Sequence, residues 1–164
     1  MTLALDDLSL EDVPTVAAIE AQRHLTPWGM QSFQDALRSG WHARVLRDPQ
    51  LPGVPLLGYF VSMTTGDDEE LLTITVAPNY EGCGYGRVLL SELIREARAR
   101  GAERLFLEVR ESNRRAIHLY ESAGFTMSGM RKNYYAVPAN LPSHQPAGRE
   151  NALLMVLSLQ GPQS

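Results

Sequence analysis

Apolar residues recur along this chain at two different spacings, and the switches between them mark out its elements. Leu3, Leu5, Leu8 and Leu10 suggest a first short strand ending near Ser9. Val13, Val16, Ala17 and Ile19, with Glu20, then fall at helical spacing, behind Ser9 or Asp12 as the capping residue. Pro14 sits in the first turn of that helix, where proline is tolerated. The stretch Leu25-Thr26-Pro27-Trp28-Gly29 breaks the pattern, and Met30, Phe33, Ala36 and Leu37 predict a second helix stopping at Gly40. After it the period shortens. His42 to Leu46, Leu56 to Thr65 and Glu70 to Val76 read as strands of an antiparallel meander, joined by Asp48–Gly53 and Gly66–Glu69 turns. Downstream come a helix from Gly84 to Arg100 closed by Gly101, a strand from Arg104 to Val109, and a helix from Arg114 to Ala123 closed by Gly124. Two last strands are expected over about Phe125 to Tyr135 and Glu150 to Leu159, flanking a loop rich in proline and glycine.

The order β-α-α-β-β-β-α-β-α-β-β predicts an α/β (α+β) domain spanning 1–164. It should hold a mixed, mostly antiparallel sheet of about seven strands flanked by about four helices. The strand–helix–strand units of the second half favour parallel pairing there. No repeat and no long low-complexity tract interrupts the chain. Its 164 residues suffice for a good core without staples.

Composition narrows the function only slightly. A single cysteine, Cys83, excludes an internal disulfide framework and any multi-cysteine metal site. No apolar run approaches the ~20 residues needed to cross a bilayer, and the N-terminus lacks the basic start and apolar core of a signal peptide. A cytoplasmic location with no membrane partner is the expectation. The net charge of −4 argues against direct nucleic-acid binding. It is compatible with a basic partner, and equally with an ordinary solubility device.

The strongest local signal is a strand, Thr73 to Pro78, that runs into Asn79-Tyr80-Glu81-Gly82-Cys83-Gly84-Tyr85-Gly86-Arg87 and then the helical Val88-Leu89-Leu90. Alternate glycines let the backbone turn tightly and bring bare N–H groups close to a ligand. The helix that follows adds its free N-terminal amides and the positive end of its dipole, so a diphosphate is the natural guest. A Walker loop needs Gly-Lys-Ser/Thr and a dinucleotide fold G-x-G-x-x-G, and neither is present. A helix start that uses glycine only for packing stays open at this point.

Three further residues carry chemistry. Alternation in Leu105-Phe106-Leu107-Glu108-Val109 puts Leu105, Leu107 and Val109 on one face and Phe106 with Glu108 on the other. An acid in an interior strand has its pKa drawn upward, which suits a general base; a Glu paired with Arg110 or another basic neighbour is the alternative. Asn113 can cap the next helix. Tyr120, about two turns further on, can donate a proton to a leaving group or simply pack its ring.

These elements together, with Asn113-x-x-Ala116-x-x-Leu119-Tyr120-Glu121-x-x-Gly124-Phe125 and Arg131-x-Asn133-Tyr134-Tyr135 in order, resemble the GNAT family of acyl-CoA N-acetyltransferases. Pro27-Trp28 and Glu150-Asn151-Ala152-Leu153 match the bacterial branch that acetylates the N-terminal alanine of a ribosomal protein. The resemblance implies acetyl-CoA as donor, with its diphosphate on Gly82, Cys83, Gly84, Tyr85, Gly86 and Arg87. It implies that Ile74, Thr75 and Val76 line the pantetheine arm, with the Val76 N–H on the thioester carbonyl. It casts Glu108 as proton acceptor, Asn113 as a cofactor contact and Tyr120 as proton donor to the departing thiolate. The acceptor would be the basic N-terminal segment of a small-subunit ribosomal protein, attacking directly without an enzyme nucleophile. A lysine side chain or a small-molecule amine as acceptor, or a non-catalytic acyl-CoA sensor, are the alternatives.

Two departures from the family pattern stand out. Glu81 replaces the usual Gln or Arg at the start of the turn and is expected to point away from the diphosphate. The Ala136–Arg149 loop, with Pro138, Pro142 and Pro146, is longer than usual and bears on acceptor choice. Cys83 reads as a small residue filling the turn rather than a nucleophile. His24, His42, His118 and His144 lack metal spacing and read as structural or surface residues, and no metal is expected. Trp28 is either a core plug or a wall of the acceptor groove, and Glu20 is a weaker candidate for the same groove.

Overall fold

A computed structural model describes residues 2–136 and 148–160. These residues form seven strands: β1 (Ala4–Asp7), β2 (His42–Arg47), β3 (Leu56–Thr65), β4 (Asp68–Val76), β5 (Arg104–Arg110), β6 (Thr126–Ala136) and β7 (Arg149–Ser158). Among the described residues the α-helices are α1 (Val13–Arg23), α2 (Met30–Arg38), α3 (Tyr85–Ala99) and α4 (Arg114–Ser122). The sheet order is β1-β2-β3-β4-β5-β7-β6. The pairs β1–β2, β2–β3, β5–β7 and β6–β7 are antiparallel, and the parallel pairing expected in the second half occurs between β4 and β5, at Glu69↔Leu105 and Glu70↔Phe106.

Two short 3-10 turns were not legible in the apolar spacing, Leu10–Asp12 and Pro78–Tyr80. In the first, the Ser9 N–H donates to Asp12 Oδ2 at 3.0 Å and Arg47 holds Oδ1. Burial opposes ionisation of Asp12, but these contacts outweigh it and hold the carboxyl below its ordinary pKa. β4 begins two residues before the expected Glu70. Asp68 is forked onto Arg104 at 3.2 and 3.0 Å, and the Glu103 N–H donates to Asp67 O at 2.8 Å, so the turn residues are drawn into the strand.

The chain divides into two compact units, one of Met1–Thr64 and Leu71–Leu93, the other of Thr65–Glu70 and Ile94–Ser164. In the first, Val13, Val16, Phe33, Ala36, Val45, Tyr59 and Val61 form a core around α1, α2 and the meander. Gly58 permits a close backbone approach there: a Cβ would stand 2.6 Å from Thr75 O and 3.3 Å from Val76 Cα. In the second unit, Leu105, Leu107 and Val109 are buried with Ile117, Phe125, Leu153 and Met155. β5 therefore alternates as its sequence pattern requires. Its full-length antiparallel register with β7 runs from Arg104↔Ser158 to Arg110↔Ala152. Among the described residues, no helix is long and apolar enough to cross a membrane.

Candidate active site

The first unit carries the strand end and the glycine turn. β4 alternates strictly, Thr73 and Thr75 buried, Ile74 and Val76 half-buried on the opposite face. Past Val76, the Ala77 N–H donates to Leu57 O at 2.8 Å and the chain enters the Pro78–Tyr80 turn. Gly82 and Gly84 have φ of 76° and 85°, a left-handed backbone that a side chain would strain. Gly86 does not; it already lies in the first turn of α3. Gly82, Cys83, Gly84 and Arg87 are exposed, and Tyr85 packs edge-on against Tyr80 with ring centroids 6.5 Å apart. The Gly84 carbonyl receives the Val88 N–H at 3.3 Å, so the amides of Tyr85, Gly86 and Arg87 have no partner one helical turn before them. The turn thus presents the amides that an anion requires. Glu81, the departure from the family pattern, meets the Arg23 guanidinium at 3.0 Å, which supplies the cation its carboxylate needs.

The second unit carries the candidate acid–base groups. β5 lies between β4 and β7, so Glu108 is on an interior strand. Its partner is neither Arg110 nor a residue near in sequence, but Arg131 on β6, with Nη2 3.2 Å from Oε1. Arg131 also covers the Tyr134 ring at 5.2 Å. Arg110 is engaged elsewhere: it bonds Glu150 at 3.1 Å and the Ala136 carbonyl at 3.0 Å, and lies over the Tyr135 ring at 4.4 Å. Glu150 Oε1 in turn accepts the Ser112 N–H at 3.0 Å, so the Arg110–Glu150 pair fixes the β5–α4 turn. Burial pushes Glu150 upward, but the Ser112 and Arg110 contacts win and lower its pKa.

Asn113 caps α4, its Oδ1 accepting the Ala116 N–H at 3.3 Å. That leaves its side-chain amide donor for another partner. Tyr120 is buried, its ring 5.7 Å from that of Phe125, and burial raises the pKa of its phenol. The hydroxyl is therefore fully protonated near neutral pH.

Sequence reasoning underweighted two residues and missed one. Glu20 on α1 and half-buried His24 just past it belong to a polar cluster with Tyr59 of β3 and Thr73 and Thr75 of β4. The signal for Glu20 was its spacing: with Val13 and Val16 it falls on the inward stripe of α1, and all three are buried. Glu70 was read only as a strand start. It lies on the Glu108 side of the sheet, and its pKa is raised by burial and by the charge of Glu108, partly offset by Arg131. The proline loop expected to bear on acceptor choice lies at 137–147, outside the described residues.

Residues 14–125 match the model of the acetyltransferase (GNAT) family. The chain belongs to that family. It is 36% identical over 148 residues to the ribosomal protein bS18-alanine N-acetyltransferase of Haemophilus influenzae, covering 90% of this chain and 93% of that one. It is 34% identical over 155 residues to the enzyme of the same name from Escherichia coli, covering 94% and 97%. The crystal structure of the Escherichia coli ribosomal-protein-S18-alanine N-acetyltransferase superposes with a TM-score of 0.82 at 32% identity, covering 99% of this chain and 97% of that one. The matched residues include both the glycine turn and the Glu108–Tyr120 stretch.

Proposed function

We propose that this acetyltransferase moves the acetyl group of acetyl-CoA to the α-amine of an N-terminal alanine, with the N-terminal segment of ribosomal protein bS18 as acceptor. The observation that carries the acceptor is near end-to-end similarity, at 34–36% identity, to enzymes named for that reaction. The donor rests on family membership and on the glycine turn with its two left-handed residues.

The residues divide the work as follows. Amides of Gly82 to Arg87 hold the diphosphate, each N–H donating to a charged oxygen at a helix start. Ile74, Thr75 and Val76 run beside the pantetheine arm, and the Val76 N–H donates to the thioester oxygen as it gains charge. Asn113 offers its free amide to the cofactor. Glu108 takes the proton from the incoming ammonium, directly or through water. An N-terminal amine has a pKa near 8, only slightly above neutral, so one carboxylate in contact with solvent is base enough. The amine nitrogen then bonds to the acetyl carbon, the carbon–sulfur bond breaks, and the electron pair leaves on sulfur. Tyr120 meets that thiolate with an O–H donor. A phenol raised by burial is a weak acid, but the same low-polarity surroundings raise the thiol's pKa too, so the proton can still pass.

The test is acetyl transfer to short peptides differing only in their first residue. An Ala-initiated peptide should be acetylated at its α-amine at least about ten-fold faster than one beginning with a bulky residue. Equal rates with free lysine or spermidine would overturn the assignment of acceptor.

A further inference from the structure

The reaction above makes no use of the Glu20 carboxylate, yet the first unit builds a costly arrangement around it. Glu20 is 2% exposed, and a buried charge must be satisfied by hydrogen bonds or by an ion partner. Its Oε1 accepts the Tyr59 hydroxyl at 2.6 Å and the Thr73 hydroxyl at 3.0 Å, and its Oε2 accepts the Trp28 N–H at 3.2 Å. His24 Nε2 stands 3.6 Å from Oε1 and 2.7 Å from the Thr75 hydroxyl.

Tyr59 spends its proton on the carboxylate, and His24 stands between that carboxylate and the Thr75 hydroxyl. One carboxylate thereby gathers groups from β3, from the α1–α2 connection and from two successive inward positions of β4. In a strand, side chains at 73 and 75 point to one face and those at 74 and 76 to the other. Holding the two hydroxyls therefore holds the rotation of the strand about its own axis. The tight backbone approach at Gly58 and the 2.8 Å Ala77–Leu57 bond hold the same strand end in translation.

We infer that Glu20 is a positioning residue for the acyl donor: through Tyr59, Thr73, Thr75 and His24 it fixes the rotational setting of β4, and with it the aim of the Val76 N–H. Apolar side chains would fill this space at lower cost, whereas a fully satisfied polar network adds fixed direction. The inference rests on the reading of Ile74–Val76 as the thioester-facing stretch.

Glu20→Gln and Tyr59→Phe keep volume and remove one element of the network each. Two readouts are needed, steady-state acetylation of an Ala-initiated peptide and hydrogen exchange of the Ala77 amide. Each variant should lower kcat about ten-fold, with KM for acetyl-CoA within about two-fold of the parent. Ala77 exchange should quicken about ten-fold, and the double variant should be no slower in catalysis than the worse single, because both break one chain. Loss of thermal stability with kcat per folded molecule unchanged, or losses in kcat that add, would make Glu20 purely structural and overturn the inference. Should the parent transfer no acetyl group at all, the thioester reading fails. The exchange readout then decides alone whether Glu20 holds β4, and unchanged Ala77 exchange in Glu20→Gln sinks it.

Discussion

Two glutamates of this chain live on opposite terms with water. Glu20 is closed into the core of the first unit and held at bond distance by three donors that carry no full charge. The Glu108 side chain, in the second unit, is 23% exposed and faces a guanidinium, Arg131, whose side chain is itself 51% exposed. A carboxylate of the first kind has three of its roughly four lone-pair sites committed to donors. One of the second kind meets a guanidinium and is open to solvent. The same residue type thus suits the role of a fixed peg in one place and the proposed role of base in the other, and the difference lies in how completely its lone pairs are committed.

The largest effect that could break this contrast is on turnover. Glu108→Gln should lower kcat by about 10²–10³-fold, while calorimetry finds coenzyme A affinity within about two-fold of the parent. A loss of less than about ten-fold would place the base elsewhere. Next in size, Glu20→Leu should destabilise the fold by about 3 kcal/mol, since three buried or half-buried donors lose their acceptor at roughly 1 kcal/mol each. The measurement is the urea midpoint at constant m. A shift worth under about 1 kcal/mol would mean that water reaches those donors.

Smaller effects sharpen the picture through pH. The Glu150 carboxyl is lowered in the folded state, so its contribution is present above the unfolded value of 4.5 and lost as pH falls through the folded pKa. Stability should therefore decline in acid, and Arg110→Ala should flatten that decline; an unchanged slope would remove Arg110 as the cause. Glu70 has the opposite sign, because a raised carboxyl pKa costs stability above that pKa. Glu108→Gln removes the charge that, beside burial, raises it, so carboxyl NMR should find Glu70 titrating closer to 4.5 in that variant. No movement would separate the two side chains electrostatically.

Most of the architecture could be read from local signals. β3 has the expected bounds, Leu56–Thr65, because glycine and proline punctuate both ends of a β-branched and aromatic run. α4 was marked by Asn113 before it and Gly124 after it. The Pro78–Tyr80 turn was harder, since a single turn of helix has no period to detect. In the site, the glycine turn was legible because positive φ has a residue signature, and Gly82 and Gly84 have it. The electrostatic partners were not. Arg131 reaches Glu108 across strands, and the Tyr59 and Thr73 hydroxyls come to Glu20 from 39 and 53 residues away. Nothing in local spacing encodes such distances, and an acid on the apolar stripe of α1 was the one hint available.

The most direct measurement of the central claim is intact-protein mass spectrometry of the enzyme mixed with acetyl-CoA, first without acceptor and then with an Ala-initiated peptide. Direct attack predicts an enzyme of unchanged mass in the first stage, and in the second a peptide carrying a single acetyl group on its α-amine. An acetyl group found on the protein, for instance at exposed Cys83, and then chased onto the peptide would contradict the account, as would a peptide that stays unmodified.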